Sequence, residues 1–241
     1  MTIALDTPPP QPSPPRRKLR RASTHIRELE RVLEQHFATK WYSRELTRDT
    51  NGQGTLSLTV TGPPEDFSEI VGDAVHNLRT ALDLVAVEAV RHNGGNTTDV
   101  YFPFAHDAAN LQERIKRSKF DRASSTDQDI VRKFAPYGGE GGHHFLRSLH
   151  DLDIQDKHRA SISNGALLTY PVKSVKTDSA ANLTGSAEGK QEPEIDPTES
   201  PTIKFTFPPD SVLAGEEVVS ALWRLHESVT DVVDALSKNN D

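Results

Sequence analysis

The chain has 241 residues, enough to bury the core of one domain, and its formal net charge is −7. A hydrophobic fraction of only 34% together with 16 prolines indicates that part of the chain lies outside that core. The absence of cysteine excludes disulfides, cysteine-based zinc sites and thiol nucleophiles. The acidic balance argues against nucleic-acid binding by the whole surface, although a local basic patch can still engage phosphates.

The first 20 residues differ from the rest of the chain. Residues 1–15 are rich in proline, and Arg16 to Arg21 forms a basic run. We therefore expect a disordered, proline-rich and basic tail over residues 1–20, followed by a single α-rich domain over residues 21–241. No apolar run is long enough to cross a membrane and no secretory signal is recognisable, so the expected location is cytoplasmic, without membrane association.

The spacing of apolar residues predicts the remaining elements. Alternation of leucine and valine with threonine and serine predicts a β-hairpin, whose turn is rich in asparagine, glycine and aspartate. Steps of three and four residues predict helices. A segment almost without large apolar residues, 176–201, predicts a flexible acidic loop between two pairing strands. In chain order we expect a helix over 23–38, hairpin strands over 41–48 and 55–61, a long helix over 65–92, short helices near 111–120 and over 126–134, a helix over 143–159, strands over 161–175 and 202–207, and a helix over 213–236.

The long helix carries an unusual polar stripe opposite its apolar face. At 100° per residue, this stripe contains Gly72, His76, Arg79, Thr80 and Asp83. One interpretation is a solvated face on which Arg79 and Asp83 pair at i,i+4, an interaction of a few tenths of a kcal/mol. Leu84 and Val87 also lie towards this side, however, and apolar residues there favour a face that another element covers.

The segment Gly72-Asp-Ala-Val-His-Asn-Leu-Arg-Thr-Ala-Leu-Asp83 resembles the "GDALHNLRSALDH" helix of a widespread group of uncharacterised bacterial and phage proteins, which in turn resembles the HEPN superfamily of helical domains. The resemblance extends from about Trp41 to Arg159. Its further motifs, in the same order, are Gly62-Pro-Pro64, Phe102-Pro103, Ala135-Pro-Tyr137 and Leu152-Asp-Ile-Gln-Asp-Lys-His-Arg159.

The resemblance implies a metal-independent ribonuclease site. HEPN ribonucleases use an Arg and a His four to six positions later; the resemblance assigns the Arg to Arg79, whereas the expected His is replaced by Leu84. An Arg can stabilise the charge on a cleaved phosphate, and an imidazole can move the proton of a ribose 2′-hydroxyl. Two histidines could replace the missing one: His76, one turn before Arg79, and His158 in the second motif. Polar support would come from Asn77, Asp83, Asp156, Lys157 and Arg159.

Other chemistries find weaker support in the sequence. Asp156 and Arg159 could instead pair with Arg79 and Asp83 and seal a purely structural seam. The histidines and aspartates between positions 143 and 158 have no recognised metal-ligand spacing, so we expect no metal and no cofactor. The glycine cluster over 138–142 lacks the Lys-Ser/Thr of a phosphate loop, and no Gly-x-Ser-x-Gly elbow occurs.

The expected fold is mainly α: a HEPN-like helical bundle with a small antiparallel β-sheet made of the hairpin and the later strands. Two functions remain open. The first is a ribonuclease of defence or toxin type, in bacteria or phage, which acts on RNA through Arg79 with His76 or His158. The second is a catalytically inactive helical module that binds a partner or a nucleotide. The resemblance also implies a homodimer.

Overall fold

The computed structural model describes residues 11–39, 42–48, 54–60, 62–159, 165–169 and 202–239. For residues 44–48, 54–60, 157–159, 165–169 and 202–203 it describes the backbone only. The second half of residues 1–20 is thus described, whereas residues 1–10 and the predicted acidic loop over 176–201 lie outside the described residues.

The mainly helical class predicted from the sequence is confirmed. The described chain contains six α-helices and four strands: α1 Pro14–Phe37, β1 Tyr42–Arg48, β2 Gly54–Val60, α2 Phe67–His92, α3 Leu111–Arg117, α4 Ser125–Phe134, α5 His144–Arg159, β3 Gly165–Thr169, β4 Thr202–Thr206 and α6 Val218–Lys238, with a 3-10 turn at Phe120–Arg122. Within this part of the chain, no helix is long and apolar enough to cross a bilayer.

The expected tail over residues 1–20 is wrong from residue 14 onward. Helix α1 begins at Pro14, nine residues before the predicted start, and includes the whole basic run. Pro14 and Pro15 occupy its first turn, where a missing N–H breaks no helical hydrogen bond and a fixed φ favours the helix. The basic run continues the apolar face of α1 through Leu19 and Ala22, which are buried.

Two long helices, α2 and α6, supply much of the apolar core. Leu78, Leu82 and Leu225 are fully shielded from solvent within it, and α1 packs against both helices. Helix α6 starts five residues later than predicted, because the Glu217 side chain accepts hydrogen bonds from the backbone N–H groups of Val219 and Ser220 and so fixes the N-terminus. The buried cluster is shared by all six α-helices.

The described strands form two separate pairs. β1 and β2 pair antiparallel from Tyr42 opposite Val60 to Arg48 opposite Gly54. β3 and β4 pair antiparallel from Gly165 opposite Thr206 to Thr169 opposite Thr202, the pairing expected for the two later strands. The single small sheet expected from the hairpin plus the later strands is not formed by the described residues, since no ladder joins the two pairs.

A glycine-rich turn over residues 138–142 precedes α5, which packs against α2. The backbone N–H of His143 donates to the carbonyl of Ala135, which holds the turn closed immediately before α5 begins. A Cβ at Gly142 would lie 2.1 Å from the carbonyl oxygen of Tyr137, a backbone atom that cannot rotate away. Close backbone approach therefore requires glycine at this position.

Replacing Gly142 with alanine should destabilise the protein by at least about 2 kcal/mol, because the added methyl group must displace backbone. Denaturant unfolding followed by circular dichroism measures the change. Gly62→Ala is the matched control: a Cβ there meets nothing within 4 Å, so its free energy of unfolding should stay within about 1 kcal/mol of the wild type. Equal stabilities for the two variants would contradict the close contact.

Candidate functional site

The polar stripe of α2 is covered by α5, which runs antiparallel to it. A Cβ at Gly72 would lie 2.7 Å from Oδ1 of Asp156, and Nδ1 of His76 lies 3.3 Å from Oδ1 of Asp153. As residue numbers rise along α2, their neighbours on α5 therefore fall. The absence of a side chain at Gly72 allows the two helices to approach closely at this end. We call this contact the α2–α5 seam.

Arg79 is sheltered by its neighbours: only 12% of its side chain is exposed. Its Nη1 lies 2.5 Å from Oδ1 of Asp83, and its guanidinium carbon lies 4.6 Å from the centre of the Phe104 ring. This Nη1 has no hydrogen bond of acceptable angle, so the attraction to Asp83 is that of opposite charges at short range. The Arg79–Asp83 pair predicted at i,i+4 exists, but it is sheltered instead of solvated.

Asp83 has a second role that the sequence did not reveal. Its Oδ1 accepts a hydrogen bond of 2.9 Å from the backbone N–H of Phe102. Arg114 donates to the carbonyl of Phe104 at 2.8 Å, and Arg147 donates to the carbonyl of Ala105 at 3.0 Å. Three charged side chains from three helices thus hold the segment Phe102–Ala105, and the rings of Phe102 and Phe104 are buried.

His150 of α5 faces the same cluster. Its ring stacks on Phe104 with centroids 4.8 Å apart and planes 11° apart. Burial and, secondarily, the positive charges of Arg79, Arg147 and Arg114 together lower the pKa of His150 to about 4, against the opposing charge of Asp153. The imidazole is therefore neutral at pH 7, and its Nδ1 is shielded without a hydrogen-bond partner among the described residues.

His76 is the accessible member of the seam. Half of its side chain (52%) is exposed, whereas only 6% of the Asp153 side chain is. A buried carboxylate that contacts one ring nitrogen orients the imidazole. Arg79 is three residues further along the same face of α2, within the range over which helical neighbours interact. The arrangement combines an accessible, oriented imidazole with a sheltered cation three residues along the same helix.

The other predicted site residues lie in different places. Asn77 is buried towards α1: its amide nitrogen donates to the carbonyl of Asp73 at 2.7 Å, and its oxygen accepts from Lys18 Nζ at 3.3 Å. It therefore does not support the seam as expected. The carboxylate of Asp156 does lie in the seam, beside Gly72. Lys157, His158 and Arg159 belong to the last turn of α5, but their side chains lie outside the described part of the chain.

The antiparallel register separates His158 from Arg79 along the helix axis. His150 is the α5 residue that shares Phe104 with Arg79, and His158 follows eight residues later, about 12 Å further along the helix. His76 is thus better placed than His158 to act with Arg79 in one protomer. Arg79 is engaged by Asp83 and Phe104. The alternative pairing of Arg79 and Asp83 with Asp156 and Arg159 involves the Arg159 side chain, which lies outside the described part of the chain, so it stays a prediction.

Sequence reasoning missed Asp153, His150 and Phe104 as partners of the stripe. Asp153 and His150 are three residues apart, a spacing that places both on one face of α5, and this was the available signal. Among the described residues, no group of three histidines or acidic residues could hold a metal ion. No family model matches the chain, and no curated protein or solved structure shows significant similarity to it.

The depressed pKa of His150 predicts a pH dependence of stability. Above pH 6.5 the imidazole is neutral in both the folded and the unfolded chain; between about 6.5 and 4 only the unfolded chain binds the proton. The free energy of unfolding should therefore fall as the pH drops through this window. His150→Phe keeps the stacking but cannot titrate, so it should lose less stability between pH 7 and pH 5 than the wild type does.

Denaturant unfolding at pH 7, 6 and 5 measures this difference. His106→Gln is the control, because 89% of the His106 side chain is exposed and the substitution should leave the pH dependence of the wild type intact. Parallel pH profiles for wild type and His150→Phe would show that His150 titrates alike in the folded and unfolded chain.

Proposed function

We propose that the chain is a HEPN-like protein that cleaves RNA without a metal ion, with His76 as the proton-transfer group. The observation that carries the proposal is the pair of an exposed imidazole and a buried carboxylate, His76 and Asp153, about one helical turn from the sheltered Arg79 on the same face of α2. The replacement of the usual HEPN histidine by Leu84 requires the base to come from elsewhere. His76 supplies it from the same face of α2.

The proposed reaction is an internal transesterification. His76 Nε2 removes the proton of a ribose 2′-hydroxyl, and the 2′-oxygen forms a bond to the adjacent phosphorus while the bond from phosphorus to the 5′-oxygen breaks. The products are a 2′,3′-cyclic phosphate and a 5′-hydroxyl, whose proton returns from the imidazolium. Asp153 stabilises the positive imidazolium, and Arg79 stabilises the additional negative charge on the phosphate oxygens.

RNA cleavage in the presence of EDTA tests the proposal. His76→Ala should reduce the cleavage rate of a fluorescent RNA by about 10² to 10⁴, the usual contribution of a general base. Asp153→Asn should reduce it less, because the imidazole remains while its orientation is lost. His106→Ala, the exposed-histidine control, should cleave at the wild-type rate. DNA of the same sequence lacks the 2′-hydroxyl and should stay intact.

Two results of the cleavage assay would reject catalysis. A wild-type preparation that cleaves RNA no faster than His76→Ala, or whose products carry no cyclic phosphate, contradicts the mechanism. Expression in growing cells gives an independent readout, since a defence or toxin-type ribonuclease arrests growth and His76→Ala should relieve that arrest.

A second function, a catalytically inactive helical binding module, is favoured by the state of Arg79. Its charge is already paired with Asp83 and stacked on Phe104, so a phosphate must compete with both partners. In this case Arg79 is a structural residue that holds the Phe102–Ala105 segment through Asp83. RNA or a protein partner then binds without being cleaved.

Arg79→Met separates the two functions. Loss of the ion pair and the ring contact should destabilise the protein by about 2 kcal/mol in either case, as measured by denaturant unfolding. Arg117→Met is the matched control: Arg117 also pairs at i,i+4, with Glu113, but it is 67% exposed, so the loss should be under about 1 kcal/mol. For the inactive module, fluorescence anisotropy should detect equal affinity of RNA for wild type and Arg79→Met.

The homodimer stays a prediction of the same proposal. Leu84 and Val87 are half-buried on α2 within one protomer, which leaves them partly available to a second copy. Light scattering at micromolar concentration distinguishes a dimer from a monomer mass.

A further inference from the structure

A cavity of about 420 Å³ opens where the start of α1, the last turns of α2 and the end of α6 meet. This volume is in the range of small-molecule sites. The cavity is unrelated to the α2–α5 seam, because Glu88 and Arg79 are nine residues apart on α2: they project from opposite sides of the helix and are separated by about 13 Å along its axis. The residues used below are Ser13, Arg16, Val85, Glu88, Arg91 and His92.

Two guanidiniums in the cavity wall are only partly neutralised. Arg91 is 61% exposed, and its nearest carboxylate oxygen, Oε1 of Glu88, lies 4.0 Å away, the outer limit of an ion pair. Arg16 is 47% exposed and lies 2.9 Å from Oδ1 of Asp234. His92 lies beside Arg91 in the wall. Arginine forks and an imidazole are the side chains that most often bind phosphate, so the cavity favours an anion.

The opposite wall offers hydrogen-bonding groups without partners. Ser13 precedes α1 but makes no capping hydrogen bond, and its Oγ is shielded without a partner among the described residues. Ser13 itself lines the cavity. The N-terminus of α1 adds a partial positive charge at the same place. Burial raises the pKa of Glu88, against the lowering influence of Arg91, His92 and Arg17.

The remaining lining limits the size and polarity of the ligand. Val85 provides one apolar contact, and among the described lining residues there is no aromatic ring on which a nucleobase could stack. A carboxyl group at Glu88 accepts hydrogen bonds from hydroxyl groups. These features favour a ligand with a phosphate at one end and hydroxyl groups at the other.

We propose that this cavity binds a small sugar phosphate, with its phosphate on Arg16, Arg91 and the Ser13 hydroxyl and its hydroxyl groups on Glu88. The site is independent of the proposed RNA cleavage and of the seam that would perform it. Its phosphate end requires the two arginines, and its polyol end requires the carboxyl group of Glu88.

Isothermal titration of the full chain with ribose 5-phosphate tests the site, with inorganic phosphate, ribose and adenosine 5′-monophosphate as the comparison ligands. We expect the sugar phosphate to bind more tightly than each of the three. Arg91→Gln should weaken the binding at least tenfold, and Glu88→Ala should reduce the affinity for the sugar phosphate to that for phosphate alone. Arg117→Gln is the control, since Arg117 is similarly exposed and ion-paired but remote, and it should change the affinity less than twofold.

The remaining outcomes overturn the proposal. If the wild type binds phosphate and sugar phosphate equally, the hydroxyl groups of the sugar make no contact with Glu88. If it binds the nucleotide more tightly, the site recognises a base and not a sugar phosphate. If Arg91→Gln and Arg117→Gln lose the same affinity for the sugar phosphate, the binding reflects surface charge and not the cavity. The absence of heat with wild type at millimolar sugar phosphate rejects the site, whatever the result of the RNA assay.

Discussion

The sheltered guanidinium of Arg79 holds the candidate site together. It neutralises Asp83, and the same carboxylate oxygen accepts the backbone N–H of Phe102. Phe104 then lies against both the guanidinium and the ring of His150. A charge of this kind is stable away from water only with an opposite charge beside it. The position of Asp83 is therefore fixed by Arg79, and the position of the Phe102 backbone is fixed by Asp83. The segment Phe102–Ala105 and helix α5 are placed by that chain of contacts.

The same contacts explain why His76 and His150 differ although both belong to the α2–α5 seam. His150 is covered by Phe104 and lies near three arginines, and this burial and positive charge lower its pKa, so that the ring is neutral at pH 7. His76 lies one turn from Arg79 at the edge of the seam, where half of its side chain meets solvent and Asp153 orients it. A group that exchanges protons with a substrate must be reachable, and a group that packs an interior must stay neutral. The two histidines therefore differ in access: His76 is reachable from solvent, as the proposed proton transfer requires, whereas His150 is not.

Local patterns predict the elements of this chain well and their contacts poorly. The three- and four-residue steps of α2 and α6, and the alternation in β1 and β2, depend on backbone geometry that every helix or strand shares. The start of α1 was missed because prolines were interpreted as a tail, although Pro14 and Pro15 fit the first helical turn. The stripe on α2 was visible in the sequence, but its partners Asp153 and His150 depend on how α5 packs across it. Such register is set by tertiary contacts, here by Gly72 and Asp156.

The resemblance expects a histidine at position 84, where this chain has leucine. A leucine cannot move a proton, so the motif taken along the chain indicates an inactive protein. In the proposed function, His76 on the other side of Arg79 takes the role of that base, with the buried carboxylate of Asp153 against its ring. Chemistry depends on groups that meet in space, and on a helix surface an i,i−3 neighbour lies closer to Arg79 than position 84, which is five residues further along. The remaining constraint is access to Arg79. Asp83 and Phe104 hold its guanidinium, so a phosphate reaches it only by competing with them.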